Sequence, residues 1–239
     1  MNKLYQYSVI SALMEGVAGK GLPLSSLLAR GDHGIGTFRT MLGELIVVDG
    51  KAYQMLFGRD SARGLGQGRH RALRHDHPVP AQERHKIHPR QQGELGAMIA
   101  SLFLTGRNSF VAFRIDGAFR SVQVRTVSGQ SHPKEGLGEL AARQPVHSLT
   151  HTRGTVVGFR SPAFLQGVSV AGLHMHFIDE KRERGGHVLS LETEGDVTIR
   201  AADVSRSVLD LPRDDTEYND ATIKVDLAAI EAAEGLLHV

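Results

Sequence analysis

The first apolar positions, Leu4, Ile10 and Leu13 within LYQYSVISALMEG, recur at helical spacing. With Gly16 just past the last of them, they predict an amphipathic helix over about residues 3–15. A second short helix is expected around Leu24–Leu28, followed by a loop from Arg30 to Thr37. GELIVVDGKAYQML reads as a hairpin, two apolar runs joined by the tight-turn dipeptide Asp49-Gly50, which sets Glu44 at the start of a strand. In SFVAFRIDGAFRSVQVRTV, Gly117 punctuates two strands, and the alternation around Val122 and Val124 puts Arg125 on one face with Gln123 and Val127. The second half continues as short strands separated by Gly, Pro and charged turns, and VDLAAIEAAEGL closes the chain as a weak helix. This pattern predicts a strand-rich α/β fold with mixed β-sheets and a few short helices, one compact two-lobed unit over residues 1–239.

Residues 59–93 break the pattern. The stretch is rich in Arg, holds five of the thirteen histidines and shows no apolar alternation, so it reads as an atypical basic insertion or loop with no core strand. Order is expected to return with LGAMIASLFL.

Composition narrows the possible chemistry. In 239 residues there is no Cys, which excludes disulfides, thiolate zinc sites, iron–sulfur clusters and Cys nucleophiles. A net charge of +2 and 5% aromatics argue against a nucleic-acid partner, leaving a binder acting through residues 59–93 as the weakest reading. No apolar run is long enough to cross a membrane, and the start lacks the continuous apolar core of a signal peptide, so a cytoplasmic protein is expected.

The histidines carry the chemical signal. In Gly172-Leu173-His174-Met175-His176-Phe177 a strand throws His174 and His176 to one face and Leu173, Met175 and Phe177 to the other. The polar segment Asp179–Arg184 and Gly185-Gly186 can reverse the chain, so that His187 returns beside His176. An isolated His-x-His is commonly no more than two hydrogen-bonded rings; the alternation and the hairpin-placed third ring favour a three-histidine metal site. Such a ligand set leaves zinc an open position, as catalytic sites do. A rival cluster, His75-Asp76-His77 with His85 and His88, has the right ligand types in an irregular, basic stretch and reads as a solvated loop.

These segments, taken in order, resemble the acetolactate decarboxylases, zinc enzymes that convert 2-acetolactate to acetoin and carbon dioxide. The resemblance rests on Leu4-Tyr5-Gln6, Gly31-Asp32-x-Gly34-Ile35-Gly36-Thr37-Phe38, Gly43-Glu44-Leu45-Ile46 with Asp49-Gly50 and Tyr53-Gln54, Arg125 in VQVRTV, Gly154–Arg160, and VAGLHMHFIDEKRERGGHVL. It implies Zn2+ on His174, His176 and His187, Arg125 as the active-site arginine, and Glu44 as the first catalytic glutamate. The second glutamate lies in the tail, where IEAAEG offers Glu231 and Glu234 and the spacing favours Glu234. A homodimer is also implied. The chain departs from the family in carrying Arg39 and Leu42 where an aspartate is usual between Thr37 and Glu44.

The implied chemistry suits these groups. Loss of a carboxylate beside a ketone pushes electrons toward the ketone oxygen, where a Lewis acid stabilises them. A 2-hydroxy-3-oxo acid offers two oxygens to one metal, and its carboxylate calls for a permanent cation such as Arg125. The competing enzyme reading is another metal-dependent activity, such as a hydrolase using zinc-bound water. The glycines of Gly31–Thr37 lack the Lys-Ser/Thr of a phosphate loop and are expected to place Thr37 and Glu44 near the site.

Overall fold

The computed structural model describes residues 2–56 and 108–234, and between these two spans the backbone of residues 63–65, 71–76 and 83–87. In chain order the strands are β1 (Lys3–Tyr7), β2 (Leu22–Pro23), β3 (Gly34–Phe38), β4 (Glu44–Val48), β5 (Lys51–Met55), β6 (Arg63–Leu65) and β7 (Arg71–Asp76). They continue with β8 (Glu83–Ile87), β9 (Phe110–Arg125), β10 (Val146–Ser161), β11 (Gly172–Asp179), β12 (Gly185–Val204) and β13 (Arg206–Asp210). The helices are short: α1 (Ile10–Met14), α2 (Leu24–Leu28), α3 (Leu137–Arg143), α4 (Thr216–Asp220) and α5 (Leu227–Glu234). The strand-rich, mixed-sheet class expected from the sequence is the one observed.

Two sheets carry the molecule. The first has eight strands in the order β13-β1-β7-β3-β4-β5-β6, with β2 on β7; β13 runs parallel to β1 and the other pairs are antiparallel. The second is ordered β11-β10-β9-β12-β8, and β11 also pairs with the start of β12, closing four strands on themselves. Inside this closure sit Phe113, Phe119, Val122, Val156, Met175 and Phe177, all buried. Between the two sheets Ile46 and Val48 of β4 meet Val157, Phe159 and Ile178. Leu45 and Val47, on the other face of β4, pack on Leu24 and Leu27 of α2, so β4 is buried on both sides and its sequence is a continuous apolar run. A third cluster ties α1, α3 and α5 together through Ile10, Leu137, Leu140, Ile230 and Ala233.

Several local expectations hold. The hairpin turns at Asp49 and Gly50, both in the left-handed region at φ 54° and 71°, as a two-residue turn between twisted strands requires. Helix α2 spans the expected Leu24–Leu28, and Gly16 ends α1 at φ +75°.

Other expectations are corrected. Residues 3–7 form a strand rather than the first turns of a helix, because pairing with β13 and β7 on its two sides outweighs the helical spacing; Ser8, at φ 65°, breaks the chain before α1 begins. The expected loop before Thr37 is β3 from Gly34 onward, held between β4 and β7. Gly117 ends no strand: β9 runs unbroken for 16 residues, and the missing side chain admits Val197 of β12, whose Cγ1 would lie 2.6 Å from a Cβ at this position. The second half likewise has long strands, 16 residues in β10 and 20 in β12, whose glycines serve packing; Gly158 leaves room for the Phe113 ring. Within 59–93 the backbone of β7 is hydrogen-bonded between β1 and β3, so the segment does supply a sheet strand; tertiary neighbours select it where local alternation is missing. LGAMIASLFL and the side chains of the rival histidine cluster lie outside the described residues; the backbones of His75 and His85 belong to different sheets.

Candidate metal and active site

The register of three strands builds the site. His187 of β12 lies opposite His176 of β11 on one side and opposite Arg125 of β9 on the other. Directly opposed residues share a face, so Arg125, His187 and His176 form one row across the sheet, and His174 joins it two residues before His176. The alternation predicted for β11 is observed: Leu173, Met175 and Phe177 turn into the core. Gly185 and Gly186 permit the return, since a Cβ on Gly186 would lie 2.3 Å from the Arg125 carbonyl oxygen.

The three imidazoles converge. Their ring centroids are 5.1–5.5 Å apart, and one nitrogen from each lies within 4.8 Å of the others. Two tautomers are fixed by backbone. The Leu45 carbonyl, 3.0 Å from His176 Nδ1, can only accept, so Nδ1 donates and Nε2 keeps its lone pair. The Glu234 carbonyl does the same to His187 Nε2 at 2.9 Å, freeing Nδ1. Burial, then the charge of Arg125, pulls His174 down to about 3; burial also holds His176 and His187 well below the usual imidazole range. All three rings are therefore neutral at neutral pH, the form in which imidazole can bind a metal.

Two carboxyls complete the pocket. Glu44, at the first position of β4, receives the Val127 N–H on Oε1 at 3.2 Å and sets Oε2 3.7 Å from His176 Nε2. Burial pushes its carboxyl up to about 8 against the lowering effect of Arg125. Glu234, the last residue of α5, places Oε2 3.5 Å from His174 Nε2, 3.6 Å from His187 Nδ1 and 3.7 Å from Arg125 Nη2. That oxygen is buried without a hydrogen-bond partner among the described residues, and burial raises its carboxyl as well. Glu231 lies outside this pocket. Three free imidazole nitrogens beside an orphaned carboxylate oxygen are a donor set that fits a divalent cation.

Gly36 and Thr37 line the pocket, as expected of the Gly31–Thr37 segment. The rest of the wall was not legible in the sequence: Tyr7, Ser8, Val9 and Ile10 from the β1–α1 turn, with Leu13, Leu137 and Val170. The Gln6 side chain donates to the Ser8 and Val168 carbonyls at 2.8 and 2.7 Å and so braces the left-handed Ser8. Thr37 Oγ1 donates to the Gly43 carbonyl at 2.8 Å, fixing the approach to Glu44. The second triad of possible ligands, His132, Glu135 and Glu139, is a different matter, since Glu135 is already engaged by Arg143 and Ser131.

Fold and pocket together define an enzyme built on two sheets, with a candidate three-histidine metal centre where the sheets meet. The alpha-acetolactate decarboxylase family model matches residues 4–225, a span that includes Glu44, Arg125 and the three histidines. The alpha-acetolactate decarboxylase of Bacillus subtilis strain 168 is 36% identical over 236 residues, covering 98% of this chain and 92% of its own length. That of Raoultella terrigena is 32% identical over 97% of this chain and 89% of its own. A crystal structure of the Bacillus subtilis strain 168 protein superposes with a TM-score of 0.92 at 34% identity, covering 98% of this chain and all of that one. The chain belongs to the alpha-acetolactate decarboxylase family, and with it to the carboxy-lyases.

Proposed function

We propose that the protein converts 2-acetolactate to acetoin and carbon dioxide, with a zinc ion held by His174, His176 and His187. The observation that carries this reading is the row Arg125–His187–His176, which sets a cation for a carboxylate beside a cluster of neutral imidazoles. Those imidazoles would hold the zinc ion, which would supply Lewis acidity for the substrate's hydroxyl and ketone oxygens.

The chain's own residues do the rest. Arg125 Nη2 faces the pocket, where the permanently charged guanidinium binds and orients the substrate carboxylate. As the bond from that carboxylate to C2 breaks, carbon dioxide departs and the electron pair moves into the adjoining ketone. C2 must then receive a proton. Glu44 is built to hold one: with Val127 N–H donating to Oε1, the proton of the neutral acid sits on Oε2, the oxygen turned toward His176. Glu234 is a second buried acid across the same pocket. Val9, Ile10, Leu13 and Val170 give the same pocket an apolar side. The same reading makes the enzyme a cytoplasmic homodimer; sedimentation of the purified chain tests the homodimer, and fractionation of the source cells tests the compartment.

Purified protein given racemic 2-acetolactate, with its metal content measured in the same sample, tests the proposal. Acetoin should form, cease on chelation and return with zinc. Folded, metal-loaded protein that forms no acetoin overturns it.

A further inference from the structure

The guanidinium of Arg125 is useful only if its free edge points into the pocket with its charge intact, and the structure shows what aims it. Gln144 caps the C-terminal end of α3, two residues before Val146, the residue paired with Arg125 on β10. A guanidinium carries donors alone, so the amide must turn its oxygen toward it; in that orientation the Gln144 oxygen accepts from Arg125 Nη1 at 3.2 Å and Nε at 3.3 Å. One edge of the guanidinium is thereby occupied, and Nη2 is left facing Glu234 and the cavity. The side chain of Gln144 is not part of the cavity wall, so it acts only through Arg125.

We propose that Gln144 is a positioning residue that orients Arg125 for an anionic substrate without neutralising it, an inference that rests on the reading of Arg125 as the carboxylate-binding group. The choice of a neutral acceptor matters. An aspartate or glutamate here would hold the guanidinium equally well but would offset its charge, weakening attraction for a carboxylate in a pocket screened from bulk water by burial. A glutamine gives direction alone.

The test compares Gln144→Met, which keeps the length and removes the acceptor, with Gln144→Glu, which keeps the acceptor and adds a charge. Arg125→Met serves as the control. Metal content and thermal unfolding should match the parent in both Gln144 variants. KM for 2-acetolactate should rise about tenfold in Gln144→Met, with kcat changed less, and further in Gln144→Glu. A raised KM in Arg125→Met with parental KM in both Gln144 variants overturns the positioning role and leaves the reading of Arg125 standing. A second readout needs no turnover: the Arg125 Nε–H resonance, identified by its loss in Arg125→Met, should exchange slowly with solvent in the parent and quickly in Gln144→Met. Rapid exchange in the parent itself, or equal exchange in both, overturns the proposal whatever the substrate proves to be.

Discussion

His176 and His187 each use one ring nitrogen on a backbone carbonyl, Leu45 and Glu234 respectively, and this fixes the nitrogen left for a metal. The arrangement gives sharp outcomes for single substitutions. His174→Ala should lose bound metal and turnover together, and elemental analysis showing parental metal content would refute its role as a ligand. Arg125→Ala should keep the metal but lose about ten- to a hundredfold in kcat/KM, the equivalent of one charge-assisted hydrogen bond worth roughly 1.5–3 kcal/mol. Glu44→Gln preserves the shape of the side chain and removes its proton; if Glu44 is the donor to C2, kcat should fall about 10²–10⁴-fold with metal retained. Rates close to the parent would transfer that role to Glu234. His174, His176 and the returning His187 were legible because alternation and a glycine-rich turn are local signals. Gln144 and Gln6 were not, because Gln144 meets Arg125 on β9 and Gln6 joins the Ser8 turn to the remote Val168.

At the scale of elements, the site depends on two placements. The first is the β11–β12 turn. Gly186 sits at φ +154° against the Arg125 carbonyl, so Gly186→Ala must push β12 away from β9 where His187 and Arg125 face each other. Overpacking of this kind costs typically 1–3 kcal/mol; urea unfolding should show that loss, together with weaker metal binding. The second is α5, anchored by Ile230 and Ala233 against α1 and α3. Its last residue supplies a carboxyl to the pocket and the carbonyl that orients His187. Ending the chain after Asp226 should therefore lower metal affinity by about 10–100-fold, as loss of a ligand's orienting partner does. Unchanged affinity in a folded truncated chain would show that neither the carboxyl nor the carbonyl of Glu234 supports metal binding. The helix itself was visible in VDLAAIEAAEGL, whereas its docking over the histidines depends on contacts between α1, α3 and α5.

For the whole molecule, the buried site sets how stability answers to pH and metal. Without metal, the three histidines stay neutral in the folded chain, His174 down to about 3, while unfolded histidines take up protons below about 6.5. The unfolded state then binds more protons, and stability falls as pH drops below about 6.5. Glu44 works in the opposite sense. It holds its proton to about 8 in the folded chain but releases it near 4.5 when unfolded, so stability falls as pH rises between these values. Glu234 shifts in the same direction as Glu44. The metal-free protein should therefore lose stability toward acid, through the histidines, and again toward pH 8, through Glu44. Thermal unfolding after chelation measures this, and a steady rise through pH 8 would contradict it. Zinc at about a hundredfold over its Kd should add ~2.7 kcal/mol, roughly 5–10 °C in Tm for a chain of this size.

The sequence by itself determined the parts that local periodicity encodes: the hairpin through Asp49-Gly50, the short helix at Leu24–Leu28, the shared face of His174 and His176, and the turn that returns His187. Its ordered matches also carried the family. Tertiary structure alone decided that residues 3–7 are a strand, that Gly117 lies within a continuous β9, and that the backbone of residues 71–76 pairs between β1 and β3. It alone brought Glu44 from one sheet, Arg125 from the other and Glu234 from α5 around the same three rings. The physical reason is common to all of these: a strand gains its hydrogen bonds and its burial from neighbours remote in the chain, so its own residues specify which face is apolar but not which partner completes it.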